Sequence, residues 1–312
     1  MKRVDQSETG FSDLTWSPDG TQVAYVRGED EICRSAVDTD AVPMMVARGV
    51  CPAFNVDGGI LFEKGDEILL NRNGTTAVFI GRSDVIEGTA KRRPCTSMDG
   101  KSLLFVIDNV FHKDSQSKNA WPWRTFLGMA RATSAPRPKI LPRQQWYGGD
   151  FTFLPDGGFL HYEYDSTAGA RIHMVDVNGE TVFTTFGLYP AVSPDGRRLA
   201  CKPKGGQALV IHTRRGDTWN GEELDTVVCK LPEGGRLSGS PPIWTDNRFV
   251  LMDENNQLFR VDTRNQSVEE MKKIPAPALR GSHTMAISPD RGRLALEVPV
   301  DGGFEIRVVD LA

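Results

Sequence analysis

The sequence predicts an all-β protein, a seven-bladed β-propeller of four-stranded antiparallel blades whose ring is closed by the N-terminal segment. Three observations lead to this prediction. A short motif, Trp16-Ser17-Pro18-Asp19-Gly20, returns in variant form along the chain, with seven copies in all. Apolar runs of strand length, such as Val23 to Val26, follow the copies. The copies lie roughly 40 to 60 residues apart, which is the length of a propeller blade, and together they account for one domain spanning residues 1–312.

Each copy of the motif predicts a tight β-hairpin. In Ser-Pro-Asp-Gly the proline presets φ for a type I turn, the aspartate can hydrogen-bond its own backbone, and the glycine can take the left-handed conformation that closes a short loop. The copies after the first are Phe54–Gly58, Thr96–Gly100, Phe153–Gly157, Val192–Gly196, Trp244–Asn247 and Ile287–Asp290. The last two lack the glycine, at Asn247 and Arg291, which leaves the loop geometry there open.

A second hairpin follows the first in most copies. Asn73-Gly74 and Asn178-Gly179 each separate two further apolar runs, and Asn-Gly is the strongest short hairpin signal. Each repeat is therefore predicted to be a four-stranded meander.

The repeated turn resembles that of TolB-type propellers, a repeat also found in the propeller domains of prolyl oligopeptidase-like and tricorn-like peptidases. The resemblance covers nearly the whole chain and implies the propeller fold. It implies no single activity, because this scaffold hosts many unrelated functions. TolB-type proteins are commonly periplasmic.

The two ends of the chain are predicted to meet. The last repeat ends at Ala312 with only three strand-like runs, and Met1 to Gln6 is placed to supply the fourth. Such closure removes the open sheet edges that invite aggregation.

Composition places the chain among ordinary globular proteins. It is 39% hydrophobic and 25% charged, with a net charge of −4 and scattered basic residues, so no nucleic-acid surface is indicated. No apolar run is long enough for a membrane span, and the five cysteines lack paired spacing, which favours reduced thiols. The expected location is cytoplasmic, or periplasmic if a signal peptide has been removed. A monomer is expected.

The third repeat carries an insertion, predicted at Ile107 to Arg124, between its second and third strands. By propeller geometry this loop overhangs the face where ligands usually bind. It contains His112, Trp121 and Trp123, and tryptophans in a polar loop are typical of recognition surfaces. The alternative is that the rings of Trp121 and Trp123 fold back on the third blade.

A ring of side chains is predicted where the inner strands begin, at one end of the central channel. Aligned on the turn, the ring contains Asp13, Cys51, Arg93, Asp150, Tyr189, Pro241 and Thr284, and one step earlier it includes Arg92 and His283. Asp13, Asp150 and His283 could supply acid–base groups. Polar residues that line a water-filled channel, however, need have no function.

The sequence contains none of the short catalytic motifs tested, including the phosphate-binding loop, the His-Glu-x-x-His helix and the Gly-x-Ser-x-Gly elbow. The leading hypothesis is therefore a non-catalytic binding propeller that presents Arg92, Arg93, His112, Trp121, Trp123 and Tyr189 to a protein or peptide. The alternative is an enzyme, a lyase, hydrolase or cyclase, that acts on a saccharide, peptide or small natural product in the axial funnel. No cofactor is predicted. No metal site is predicted either, since the five histidines lack ligand-like spacing.

Overall fold

The computed structural model describes residues 1–84, 89–111, 123–133, 136–145, 151–165, 169–203, 208–216, 219, 224–230, 241–254, 257–275 and 284–311. These residues form 28 strands in seven antiparallel sheets of four strands each, which confirms the predicted seven-bladed propeller. Within this part of the chain, no helix is long and apolar enough to cross a bilayer.

The chain begins with β1 (Lys2–Ser7) and then builds the blades in order, each from the axis outward. Blade one holds β2 (Phe11–Trp16), β3 (Gln22–Arg27), β4 (Glu31–Ala36) and β5 (Met44–Arg48). Blade two holds β6 (Val50–Phe54), β7 (Ile60–Lys64), β8 (Glu67–Arg72) and β9 (Thr75–Ile80). Blade three holds β10 (Ala90–Thr96), β11 (Ser102–Phe111), β12 (Trp123–Arg131) and β13 (Lys139–Gln145).

Four blades follow in the same pattern. Blade four holds β14 (Phe151–Phe153), β15 (Phe159–Asp165), β16 (Gly169–Val175) and β17 (Thr181–Phe186). Blade five holds β18 (Leu188–Val192), β19 (Arg198–Lys202), β20 (Ala208–Arg214) and β21 (Leu224–Lys230). Blade six holds β22 (Ile243–Trp244), β23 (Phe249–Glu254), β24 (Gln257–Asp262) and β25 (Val268–Glu270). Blade seven holds β26 (Met285–Ile287), β27 (Arg293–Val300) and β28 (Gly303–Asp310), completed by β1.

The repeated motif forms the turn between the first and second strands of each blade. In blade one the Ser17 hydroxyl donates to Asp19 at 2.6 Å, and the amide of Gly20, at φ 69°, donates to the carbonyl of Ser17. The hydroxyl bond lowers the pKa of Asp19. The same serine–aspartate bond occurs in the turns of blades three, five and seven. We call the face that carries these turns the turn face.

Closure by the N-terminal segment is confirmed. Strand β1 pairs antiparallel with β28, with a bulge between Arg3 and Asp5. The bulged strand brings Asp5 to the buried phenol of Tyr25, whose hydroxyl donates to the carboxylate at 2.8 Å. The first strand of the chain is therefore tied to blade one as well as to blade seven.

The hydrophobic core lies between blades. Seven clusters of buried apolar side chains occupy the seven interfaces of neighbouring blades. Two tryptophans that end inner strands also bond across an interface, Trp16 to the carbonyl of Ala286 at 2.9 Å and Trp244 to that of Ala191 at 3.0 Å. Each blade is stabilised mainly by its neighbours.

The insertion in blade three is shorter than predicted. Strands β11 and β12 stay paired as far as Phe111 and Trp123, so the connection between them spans residues 112–122 rather than Ile107 to Arg124. Trp123 therefore begins a strand instead of lying in the loop.

Candidate functional site

Among the described residues, the innermost strand of four blades contains a bulge, and one residue of each bulge takes the left-handed conformation. The residues are Asp13 at φ 53°, Cys51 at φ 52°, Arg93 at φ 50° and Tyr189 at φ 51°. Pairing with the second strand skips residues at each of these places. All four belong to the ring that the sequence predicts. Each lies three residues before the last residue of its inner strand. We call this part of the central channel, away from the turn face, the mouth.

Proline marks three of the four bulges. It follows the left-handed residue in Cys51-Pro52, Arg93-Pro94 and Tyr189-Pro190. Because proline cannot donate to a sheet ladder, within sheets it is confined to edge strands, strand starts and bulges. The proline therefore fits a bulge in the strand that borders the channel.

The residues at these bulges adopt a backbone conformation that is unfavourable for any residue with a side chain. A non-glycine residue in the left-handed region costs on the order of 1–3 kcal/mol, and Asp tolerates it better than most residues do. Cys51, Arg93 and Tyr189 have no such tolerance, whereas glycine would adopt the same angles freely. Residues in sparsely populated backbone conformations cluster at active sites and ligand clamps. The identity of these side chains thus indicates a role beyond folding.

Three of the four left-handed residues line one cavity at the mouth. Its volume is about 180 Å³, and its walls include Asp13, Thr15, Cys51, Arg93, Cys95 and Thr96, with Phe151 on one side. Pockets for drug-sized ligands usually measure roughly 300–1,000 Å³. The cavity therefore suits a single sugar ring or a group the size of one amino acid.

Asp13 joins blade one to blade two within the cavity. Its Oδ2 accepts the amide of Cys51 at 3.4 Å and lies 3.5 Å from the hydroxyl of Ser12. These are long contacts. A partly exposed carboxylate held by such contacts can still accept a proton from a bound molecule.

Arg93 and Arg92 have different surroundings although they are neighbours. The amide of Arg93 donates to Glu63 at 2.9 Å, which fixes the backbone of a residue that lines the cavity. The guanidinium of Arg92 is paired with Glu63 at 2.9 Å and with Asp66 and Asp108 at 3.4 Å each. Arg92, predicted as a ligand-binding residue, is thus engaged by three carboxylates between blades two and three.

Buried charges in the second strands support the ring and were not predicted. Glu63 accepts the amide of Arg93, and Glu297 accepts that of Phe11 at 2.8 Å, so each carboxylate anchors the inner strand of the next blade. Lys202 is fully buried in blade five. The sequence does contain a signal for them, since each charged residue directly follows a run of three apolar residues, Ile60–Phe62, Leu199–Cys201 and Leu294–Leu296.

Tyr189 lies at the equivalent place in blade five. Leu188, one residue before it, pairs with Lys202 on the second strand, and the Lys202 Nζ lies 5.7 Å from the centre of the tyrosine ring. A cation at this distance from a ring face is attracted to it. The ammonium therefore helps to hold the phenol in place.

Several predicted site residues cannot be positioned. His112, Trp121, Asp150 and His283 lie outside the described residues, and of Trp123 only the backbone in β12 is described. Across the described ranges, no three His, Cys, Asp or Glu side chains converge as metal ligands.

Comparison with solved structures identifies other propellers. No protein-family model matches the chain, and no curated protein matches its sequence. An oligogalacturonate lyase from Vibrio parahaemolyticus matches at a TM-score of 0.62 and 12% identity, over 99% of this chain and 91% of that one. Streptogramin B lyase matches at 0.62 and 14% identity, over 98% and 96%. The propeller domain of Cps50 (Swd1) from Myceliophteria thermophila matches at 0.63 and 10% identity, over 98% of both chains.

These likenesses establish the fold, and they correct the functional prediction. A non-catalytic binding propeller was the leading hypothesis because no catalytic motif is present. Two of the propellers that match along nearly their whole length are lyases, which favours the alternative hypothesis of an enzyme. A propeller can gather a site from different blades, one residue at a time, so a short motif need not mark it.

Proposed function

We propose that this chain is an enzyme, a lyase that cleaves a small acidic substrate, a saccharide or a natural product, in the mouth of the axial funnel. One observation carries the proposal. Asp13, Cys51 and Arg93, from three adjacent blades, line one cavity, and each is held in a backbone conformation that glycine would adopt at lower cost. The lyases among the structural neighbours support the reaction class.

The cavity supplies the two groups that β-elimination requires. A base must remove the proton from a carbon next to a carboxylate, and a cation must stabilise the negative charge that develops on that carboxylate. Asp13 is suited to the first role and the guanidinium of Arg93 to the second. Asp13 takes the proton, the electrons of the broken C–H bond form a C=C bond, and the C–O bond on the next carbon breaks. The leaving oxygen keeps the electrons of that bond and takes up a proton from water.

The proposal is tested by turnover of acidic oligosaccharides and acidic natural products. Elimination leaves a C=C bond conjugated with the carboxylate of the product, and the formation of this bond is followed by ultraviolet absorbance. Loss of a general base typically lowers the rate roughly 10²- to 10⁴-fold, and we expect a loss of this size in Asp13→Asn. Arg93→Gln should lose kcat/KM on substrates that carry the carboxylate and lose less on their methyl esters.

Asp57→Asn is the matched control, because this exposed carboxylate lies in the turn of blade two and pairs with Arg72. It should turn over at the wild-type rate. Wild-type turnover by Asp13→Asn would overturn the proposal. A hydrated product without the C=C bond would show hydrolysis instead.

The TolB-type origin of the repeat is a further part of the proposal. It is supported by the serine–aspartate bond that recurs in the turns of blades one, three, five and seven.

A further inference from the structure

Arg291 occupies a position where the first five copies of the motif have glycine. It adopts the glycine conformation, at φ 61°, and its amide donates to the carbonyl of Ser288 at 2.8 Å, as Gly20 does to Ser17 at 2.9 Å. The turn of blade seven is therefore intact despite the substitution. An arginine at this angle bears a backbone strain that glycine would not.

The side chain of Arg291 reaches across the axis. Its Nη1 donates to the carbonyl of Trp244 in blade six, and its Nη2 lies 3.9 Å from the sulfur of Met98 in blade three. Blades seven and three are not neighbours in the ring. A guanidinium that contacts blades three and six from blade seven lies at the centre of the turn face.

This guanidinium has few acceptors. Arginine carries five N–H donors, and in the part of the chain that the structure describes Arg291 meets one carbonyl and one weakly accepting thioether. No described carboxylate lies within ion-pair distance of it. Desolvation by the surrounding turns lowers the pKa of Arg291, while Asp246 acts more weakly in the opposite direction.

A purely structural role, in which the side chain only fills space, does not explain why residue 291 is an arginine. Glycine would fit the turn without strain, and an apolar side chain would fill the same space without a charge to desolvate. A partly buried cation with spare donors is stabilised when an anion completes its hydrogen bonds. The planar fork of a guanidinium matches the paired oxygens of phosphate and carboxylate groups.

We propose that Arg291 forms an anion site at the centre of the turn face, which binds a small oxyanion group such as a phosphate. The site lies at the opposite end of the channel from Asp13 and Arg93 and does not depend on the function proposed for the mouth.

The test measures thermal unfolding in inorganic phosphate against chloride at matched ionic strength. A ligand that binds only the folded state raises the melting temperature as its concentration rises. We expect a phosphate-specific rise in the wild type and its loss in Arg291→Gly, which restores the residue that the turn favours. Arg197→Gln removes the same charge from an exposed position on the turn face and should keep the full rise.

The variants decide the outcome. An equal phosphate-specific rise in Arg291→Gly, or none in the wild type, would overturn the proposal. Arg291→Lys provides a second check that keeps the charge but not the fork, and it should show a smaller rise at each phosphate concentration. A rise equal to that of the wild type in the lysine variant would contradict recognition by the guanidinium fork.

Discussion

His161 lies in the core of blade four, where it is 2% exposed. Its ring stacks on that of His173 at 5.1 Å and on that of Phe159 at 6.0 Å. Burial, and secondly the neighbouring His173, lowers the pKa of His161 to about 3. The folded protein therefore keeps this imidazole neutral at pH values where an unfolded chain would protonate it.

We expect this histidine to make the protein less stable in mild acid. The unfolded imidazole, with a pKa near 6.5, takes up a proton as the pH falls, while the folded one does not until about pH 3. Between pH 7 and pH 5 the free energy of unfolding should fall by about 2 kcal/mol from this one group. Urea unfolding at both pH values should show that His161→Phe recovers most of the loss. A variant with the same pH dependence as the wild type would refute the assignment.

The ring positions could be predicted from the sequence, but the conformation of the residues there could not. The sequence groups Asp13, Cys51 and Arg93 in one ring because the turn motif sets the register of each inner strand, and in the structure the three line one cavity. The left-handed angles of Cys51 and Arg93 have no local signal, since a residue before proline is ordinarily expected to be extended. The angle follows only from the pairing with the second strand, which skips residues at the bulge.

At the scale of elements, β1 is the strand on which ring closure depends. Its bulge turns Asp5 inward, where the carboxylate accepts the Tyr25 hydroxyl and lies 3.6 Å from Arg27. This places a charge-assisted hydrogen bond between the closing strand and blade one.

Removing that bond should weaken closure. A hydrogen bond to a charged group contributes about 1.5–3 kcal/mol, so Tyr25→Phe should lower the free energy of unfolding by an amount in that range. In a chain that lacks residues 1–7 the same substitution should have almost no effect, because its partner is gone. Chemical unfolding of the four proteins forms a double-mutant cycle. Equal effects in both backgrounds would show that Tyr25 does not act through β1.

The blade-three insertion shows that the ends of strands could not be predicted from the sequence alone. The polar run from residue 112 onward predicts a loop, and Trp123 was placed within it. In the structure β11 and β12 extend each other by pairing up to Phe111 and Trp123. The end of a strand is set by its partner, and local composition does not encode that partner.

At the scale of the molecule, the residues that form the hydrophobic core lie apart from the left-handed residues of the proposed site. The core lies between blades, the turns form one face, and the left-handed residues project into the mouth at the other. Gly196, in the turn of blade five, does not line the cavity, whereas Thr96, at the start of the blade-three turn, does. Asp13, Cys51 and Arg93 belong to none of the seven interface clusters, although Phe151, which also lines the cavity, does.

The central claim is that the left-handed residues of the mouth serve a reaction, although glycine at the same positions would relieve strain in the backbone. Thermal unfolding and turnover of Asp13→Gly and Arg93→Gly test it most directly, with Gly196→Val as the control on the turn face. Glycine accepts these angles, so both mouth variants should melt at or above the wild-type temperature while turnover falls at least about 100-fold. Gly196 has φ 68°, so its valine variant should lose about 1–3 kcal/mol of stability and keep wild-type turnover below its melting point. Mouth variants that melt earlier yet turn over normally would contradict the account.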